Sequence, residues 1–452
     1  MPKKKTKVSK KDKQAARKKA DELVGVGNGH LENALAARKQ RNIVATLEGL
    51  ALAENSYLEA TKVNISSVHL DSLYNLGVCN AMRANIYKRQ RKPSESLAAS
   101  NVAKQHFNSV IAGDTSGRSE TLALAHKSMA SLLIEGAPGM IEKETIGKQA
   151  NNLANDAIKE LQLAINHINL AISIGTNTGN LANVVSAHLQ AGDIHALAMR
   201  WSFRMNNINE AFTNCEIACS HFDNGLSSPV PVDDLQLLEQ KVRVLHGLCS
   251  WATENDIENE KNSLNPRYVA ALNDADETVK TLLLIPPEVV AKEQGFGELY
   301  IIMGDIFEMN KNLTEALRLY EKAIEIKPIA DGFAGAGDLL LDEGREKLNA
   351  ATDNNERAAA VELLQRSANA FKKAAELEPK QNNEHIYNLA CATALANDET
   401  KCKQALADLK KKVEIGGKVG KEAIGLLSDT AEDTDFDPVR DMEWFMEAVK
   451  KE

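Results

Sequence analysis

Residues 297–328, GELYIIMGDIFEMNKNLTEALRLYEKAIEIKP, decide the fold, because their small and apolar positions predict two packed helices. These positions recur at helical spacing on two segments: Tyr300, Met303, Gly304 and Phe307, then Ala316, Tyr320, Ala323 and Pro328. Gly304 and Ala316 are small where two antiparallel helices approach each other closely. Pro328 ends the second helix, since proline cannot continue the hydrogen-bond ladder. Residues 309–312 form the turn between the helices.

This arrangement resembles the tetratricopeptide repeat (TPR), in which stacked helical hairpins share one continuous core. The resemblance implies an all-α fold, an α-solenoid of antiparallel helical hairpins forming a TPR-like superhelix. It also implies a protein-interaction role, because the first helices of such repeats line a concave groove that binds partners.

The pattern continues downstream of residue 328. Gly337 occupies the position of Gly304 in the next repeat. Phe371 occupies the position of Tyr320, but the spacing exceeds the usual repeat length, and the excess lies in residues 343–360. We interpret that excess as extended helix ends plus a longer loop. A third unit begins at residues 387–390. Residues 435–445 resemble the closing segment of such proteins, where a short turn precedes a final helix.

Upstream matches are weaker but of the same kind. They include Gly77 with Phe107, Tyr57 at second-helix spacing, and Gly192 followed by a turn at residues 206–207. Pro/Gly clusters at 136–139, 227–231 and 285–287 predict breaks, with Pro286–Pro287 as the main boundary. The predicted domains are a basic, disordered arm (1–29), degenerate repeats (30–287), TPR repeats (288–425) and a C-terminal capping segment (426–452).

Composition agrees with an all-α chain. Hydrophobic residues make up 43% of the 452 residues and aromatic residues only 4%, and alternating strand-like runs are missing, so we expect no sheet. No apolar run reaches the length of a membrane span, and no secretory signal follows the basic N-terminus. The six cysteines are scattered, which favours a reducing compartment and predicts no disulfide framework. We therefore expect a cytoplasmic protein, with the nucleus as the alternative.

No catalytic constellation is present, so we expect no enzyme, no cofactor and no metal. Cys215 and Cys219 lie one helical turn apart but lack a second half-site for zinc, so packing is the preferred interpretation. Residues 416–421 resemble a phosphate loop only superficially, because Ile415 and Glu422 occupy its required Gly and Ser/Thr places. His188 and His195 could share a helix face, yet no carboxylate or nucleophile accompanies them.

The N-terminus is strongly basic. The net charge of residues 1–20 is +9 and that of the whole chain is −9, which leaves −18 for residues 21–452. The arm residues are Lys3, Lys4, Lys5, Lys7, Lys10, Lys11, Lys13, Arg17, Lys18 and Lys19. The arm is either simply solvated or an element for nuclear import, for docking to RNA or ribosomes, or for contact with an acidic surface. It has no aromatic residue, so any nucleic-acid contact would be with phosphates and non-specific.

The TPR resemblance identifies groove-facing positions in the C-terminal repeats. The predicted partner-binding residues are Glu298, Ile301, Asp305, Glu308, Asp331, Asp338, Glu384 and Tyr387. Most are acidic, which indicates either a solvated face or a groove for a basic segment. Family members that clamp the acidic Hsp70/Hsp90 tails use Lys, Arg and Asn at such positions. Cations are missing here, so the resemblance does not support that role for these repeats.

Together these patterns predict a non-catalytic scaffold or adaptor that binds a protein partner with a Lys/Arg-rich segment in its groove. The alternative is a structural subunit of a large ribonucleoprotein, cytoskeletal or ciliary assembly, anchored by the basic arm.

Overall fold

A computed structural model of the chain describes residues 10–63, 65–136, 148–229, 234–255, 259–260, 263–286, 296–379, 382–430 and 432–449. The chain divides into two compact units, Met1–Val244 and Leu245–Glu452. The interpretation of the sequence as an all-α repeat protein is confirmed.

The N-terminal unit consists of consecutive helices, and neighbours in sequence pack against each other. Their bounds are α1 Lys10–Lys39, α2 Ile43–Thr61, α3 Ser66–Arg89, α4 Pro93–Gly113, α5 Glu120–Gly136, α6 Lys148–Thr178, α7 Leu181–Arg204, α8 Ile208–Leu226 and α9 Asp234–Glu254, whose last residues belong to the C-terminal unit.

The C-terminal unit continues the pattern of paired helices. Its further elements are β1 Asn259–Glu260, β2 Ser263–Leu264, α10 Pro266–Leu283, α11 Phe296–Met309, α12 Leu313–Ile326, α13 Ala330–Ala350, α14 Asn354–Leu377, α15 Asn383–Leu395, α16 Glu399–Ile415, α17 Gly417–Thr430, a 3-10 helix Thr434–Phe436 and α18 Glu443–Ala448. The expected lack of any sheet is wrong in one place. β1 and β2 form a two-stranded antiparallel hairpin, too short to show an alternating apolar pattern.

Five hairpin turns have the same backbone conformation, with a non-glycine residue at φ between 53° and 61° shortly before the second helix, as at Lys311 and Asn206. In four of the five, the side chain of the next residue caps that helix. The side chain of Asn312 accepts a hydrogen bond from the backbone N–H of Glu315 at 3.5 Å, and Asn42 accepts one from Ala45 at 3.1 Å. These caps satisfy an N–H that the helix itself leaves unpaired.

Within most hairpins a glycine of the first helix lies against an aromatic ring of the second. A Cβ placed on Gly304 would lie 2.7 Å from Cε1 of Tyr320, and one on Gly337 would lie 2.9 Å from Cε1 of Phe371. The same juxtaposition holds for these pairs: Gly27 with Tyr57, Gly77 with Phe107, and Gly192 with Phe222. Their rings are fully buried, so glycine is required for the helices to approach this closely.

The insertion over residues 343–360 extends the helices of one hairpin. α13 and α14 are long, and only residues 351–353 connect them, so the expected longer loop is not formed. Asp353 caps α14 by accepting from the backbone of Asn355 and Glu356 at 2.8 and 2.9 Å. Glu356 accepts in turn from the backbone N–H of Thr352 at 2.6 Å. This reciprocal capping explains why a polar stretch starts a helix instead of a loop.

The expectation of a disordered arm over residues 1–29 is wrong for its described part. Residues from Lys10 onward belong to α1, and Ala20 is fully buried. The apolar or small side of this helix repeats at helical spacing: Ala20, Val24, Gly27, Leu31 and Ala34. This stripe is hard to recognise in the sequence, because alanine and glycine contribute little to an apolar pattern and many charged residues surround them. Lys3, Lys4, Lys5 and Lys7 lie outside the described residues.

The C-terminal residues pack on the last helices of the unit. Phe436 and Phe445 are almost fully buried within the core cluster that also contains Leu406 and Leu409. Asp435, only 3% exposed, pairs with the guanidinium of Arg345 on α13, at 2.8 Å to Nε and 2.5 Å to Nη2. This paired contact stabilises the buried carboxylate, which would be costly alone.

The described residues also bear on the expectations about cysteines, membrane spans and chain breaks. All six cysteines are buried and free. Among the described helices none is long and apolar enough to cross a membrane. The predicted breaks at 137–139, 230–231 and Pro287 lie outside the described residues, and the domain limits remain a prediction.

Gly304→Ala tests the close approach in the repeat that defined the fold. The added methyl would lie 2.7 Å from the buried ring of Tyr320. We expect a loss of about 1–3 kcal/mol in the free energy of unfolding, measured by urea denaturation. Gly425→Ala is the matched control, because its Cβ would meet nothing within 4 Å in α17. The control should stabilise by about 0.5–1 kcal/mol. Equal effects of the two changes would contradict the proposed helix register.

Candidate functional site: an acidic wall

The first helices of the C-terminal hairpins lie side by side, since α11 contacts α13 and α13 contacts α15. Their same-face carboxylates form one surface, which we call the acidic wall: Glu298, Asp305, Glu308, Asp331, Asp338, Asp342 and Glu384. Glu298 and Asp305 are seven residues apart, and so are Asp331 and Asp338, which places each pair on one helix face. Charge interactions connect Asp305, Glu308, Asp338, Asp342 and Glu384, so four of the predicted groove residues lie near one another.

The hydroxyl of Tyr320 on α12 contacts two carboxylates of the acidic wall. Its hydroxyl oxygen lies 2.6 Å from Oδ1 of Asp305 and 2.8 Å from Oε2 of Glu308. A hydroxyl has one hydrogen, so it donates to one of the two carboxylates at a time. Burial, together with the charges of Asp305 and Asp342, raises the pKa of Glu308 above its ordinary value.

His246 of α9 completes this network. Its Nε2 lies 2.9 Å from Oδ2 of Asp305. Asp305 therefore contacts both His246 and Tyr320, which hold its carboxylate in one orientation. Sequence reasoning missed this histidine, because it lies 59 residues from Asp305 and no local spacing relates the two.

Asp338 is the most perturbed carboxyl of the wall. Its side chain reaches solvent, yet the protein around it limits its hydration. This desolvation, together with the charges of Glu308 and Asp342, raises the pKa of Asp338 to about 7. Its Oδ1 accepts a hydrogen bond from Nδ2 of Asn388 at 3.1 Å. Asp338 is therefore partly protonated near neutral pH and favours a nearby cation.

Asp342 is a further wall residue that the TPR positions did not identify. It lies one helical turn after Asp338, at the i+4 position of α13. Its Oδ1 accepts from Nη1 of Arg345 at 3.0 Å, so part of its charge is already balanced. Extending the acidic spacing by one turn would have found it.

Two predicted groove residues are corrected by the structure. Ile301 is only 9% exposed, and its Cγ1 would lie 3.7 Å from a Cβ on Gly332, so it packs against α13. The hydroxyl of Tyr387 donates to Oδ2 of Asp433 at 2.6 Å, and its ring packs edge-on to Phe436. The C-terminal segment thus already occupies Tyr387. Position within the repeat predicted both as groove residues. It could not show that the apolar Ile301 is buried or that Tyr387 bonds a residue distant in sequence.

The exposed members of the wall are Glu298, Asp331, Asp338, Asp342 and Glu384. Among the described residues, Glu298, Asp331 and Glu384 form no ion pair or hydrogen bond, so their charges face solvent unbalanced. In the basic arm, Lys11, Lys13, Lys18 and Lys19 are likewise exposed, and Arg17 approaches Asp21 at 3.9 Å.

Four histidines of the N-terminal unit form two pairs, His126 with His167 and His188 with His221. Nδ1 of His188 lies 3.0 Å from Nδ1 of His221, and His195 bonds Asn214 at 3.0 Å. Burial, with the neighbouring rings, lowers the pKa of His221 to about 4. A neutral pair in which one ring donates to the other explains this geometry, which agrees with a packing role.

Comparison with solved structures finds helical repeat proteins at low identity. The C-terminal part of a TPR repeat-containing protein from Cytophaga hutchinsonii is 15% identical, with a TM-score of 0.35, over 79% of this chain and 99% of that one. The TPR2AB domain of yeast Sti1, determined in complex with pHSP90, is 13% identical, with a TM-score of 0.25, over 70% and 98%. A monomeric IFIT1 mutant determined with Gppp-AAAA is 13% identical, with a TM-score of 0.31, over 83% and 78%.

No protein-family model matches the chain, and neither does any curated protein sequence. The consecutive helical hairpins of the chain itself confirm the resemblance to tetratricopeptide repeat proteins at the level of the fold.

Asp338→Asn tests the crowding of charge on the wall. Because the folded pKa of about 7 lies above the ordinary 3.8, the native chain loses stability as pH rises between these values. Asparagine cannot ionise and still accepts from Asn388. The variant's gain in thermal midpoint should therefore grow from pH 4 to about pH 7 and then level off. Glu362→Gln, at an exposed position on α14, is the control. A gain for Asp338→Asn that is equal at pH 5 and pH 8 would contradict the raised pKa.

Proposed function

We propose that this chain is a non-catalytic protein-interaction scaffold whose acidic wall binds a Lys/Arg-rich segment of a partner protein. The observation that carries the proposal is the convergence of carboxylates from three adjacent helices. Desolvation raises the pKa of Asp338, and the charges of Glu308, Asp342 and Glu384 raise it further. A cation placed among them would relieve this repulsion, which provides a driving force for binding.

The acidic wall contains two kinds of carboxylate, those held in place by Tyr320 and those exposed to a partner. Asp305 and Glu308 are fixed by Tyr320, which holds their charges in place without side-chain entropy being lost on binding. Glu298, Asp331 and Glu384 are exposed and can contact a partner directly. A partner segment would thus meet a preorganised centre with exposed carboxylates beside it. The same arrangement opposes binding of an acidic tail, since like charges would be brought together.

The proposal predicts how binding depends on charge, salt and pH. A fluorescein-labelled peptide of alternating lysine and serine serves as the probe for the full chain. The triple change Glu298→Lys, Asp331→Lys and Glu384→Lys should abolish binding measured by fluorescence anisotropy. Affinity for the native chain should fall steeply with added salt. It should rise from about pH 6 to pH 8, because Asp338, whose pKa is about 7, must lose its proton to pair with lysine.

The matched control reverses three exposed carboxylates on second helices of the same unit: Glu325, Glu362 and Glu414. It changes net charge by the same amount and leaves the wall intact. If both triple variants weaken binding equally, only overall charge attracts the peptide, and the wall is a solvated face.

A further inference from the structure

Two consecutive hairpins of the N-terminal unit carry the same pair of histidines. In the hairpin of α5 and α6, Nδ1 of His126 lies 2.8 Å from Nδ1 of His167. In that of α7 and α8, Nδ1 of His188 lies 3.0 Å from Nδ1 of His221. Each first-helix histidine lies four residues before a small buried residue, and each second-helix histidine directly precedes a large buried one. Those buried residues are Ala130 and Gly192, then Ile168 and Phe222. The two pairs therefore occupy equivalent positions in their hairpins.

The four rings are neutral at pH 7. Burial lowers the pKa of all of them, and neighbouring imidazoles lower it further for His126 and His221, to about 4 in both cases. A neutral imidazole has one nitrogen lone pair, which can bind a metal ion. Apart from the contact within each pair, the rings make no hydrogen bond among the described residues, and none of their nitrogens is both buried and unpaired. Each Nε2 therefore reaches water.

The distance within each pair matches two ligands at a right angle around a metal ion. Metal–imidazole bonds of about 2.0–2.1 Å separate two nitrogens by about 2.9 Å at a right angle and by about 3.3 Å at a tetrahedral angle. The observed 2.8 and 3.0 Å agree with the right angle. That geometry is typical of Cu²⁺ and Ni²⁺, whereas Zn²⁺ prefers a tetrahedron. Sequence spacing could not show this site, because the partners lie 41 and 33 residues apart.

We propose that each of the two histidine pairs binds one divalent cation of tetragonal geometry, Cu²⁺ or Ni²⁺, through both Nδ1 atoms. Without metal, one ring of each pair donates Nδ1–H to the other. On binding, the donating ring carries its hydrogen on Nε2 instead, so both Nδ1 lone pairs face the ion and no proton is lost overall. Water fills the other ligand positions, since His167, His188 and His221 are partly exposed. One ion thus links the two helices of each hairpin.

The hairpin of α3 and α4 provides a matched control. His106 directly precedes the buried Phe107, as the second-helix histidine of each pair precedes its buried residue, and burial lowers its pKa too. Four residues before Gly77, however, the chain has Leu73, so no second histidine lies at that position. His106→Gln thus removes a partly buried histidine from the same repeat position without breaking a pair.

The test titrates CuCl₂ into the full chain, which is first freed of metal with EDTA and desalted. Calorimetry should show two Cu²⁺ sites with Kd below about 10 µM, and electron paramagnetic resonance should show two coupled nitrogens per ion. His167→Gln and His221→Gln should each leave one such site and the double variant none, whereas His106→Gln should keep both. Ni²⁺ should fill the same two sites more weakly.

Thermal midpoints without metal establish that each variant is folded before its binding is compared. Added Cu²⁺ should raise the midpoint of the native chain, because an ion that binds the folded state stabilises it, and should raise that of the double variant much less. Two sites of unchanged affinity in the double variant would overturn the proposal, since the ions would then bind elsewhere. A single coupled nitrogen per ion in the native chain, or no site tighter than about 100 µM, would overturn it as well.

Discussion

The packing of an aromatic ring against a glycine determines how closely the two helices approach in most hairpins of the chain. The rings of Tyr57, Phe107, Phe222, Tyr320 and Phe371 are fully buried, and each lies where any Cβ on the facing glycine would collide with it. Because the glycine must face the ring, this contact also sets which face of the first helix points away from its partner helix. The placement of the functional faces follows from that constraint.

The acidic wall is a consequence of this geometry. Tyr320 uses its ring to hold α11 and α12 together and its hydroxyl to hold Asp305 and Glu308. One side chain thus connects the hairpin core to the proposed binding surface. The neighbouring hairpin has Phe371 at the same place, which packs in the same way but offers no hydroxyl. There, Asp338 is held by Asn388 of the next hairpin, so the wall depends on stacking as well as on single hairpins.

Local spacing predicted what local interactions determine. The seam of Gly304 and Tyr320 and the turn at residues 309–312 follow from helical periodicity, whereas the groove positions of Asp305 and Asp338 follow from the TPR resemblance. Contacts between residues distant in sequence were not predictable in this way. The bond of Tyr387 to Asp433 and the pair of His246 with Asp305 span 46 and 59 residues. The helix in the arm was not predictable for another reason, because dense positive charge surrounds the small buried Ala20.

A double-mutant cycle on Gly77 and Phe107 tests the central constraint most directly, because this ring carries no hydroxyl to complicate the result. The free energy of unfolding would be measured for Gly77→Ala, Phe107→Leu, the double variant and the native chain. A Cβ on Gly77 collides only with the ring of Phe107 among its nearest atoms, and leucine leaves room for it. We predict that Gly77→Ala costs at least about 1 kcal/mol less in the Phe107→Leu background than in the native one. Effects that add to within about 0.5 kcal/mol would contradict the claim that the glycine serves the ring.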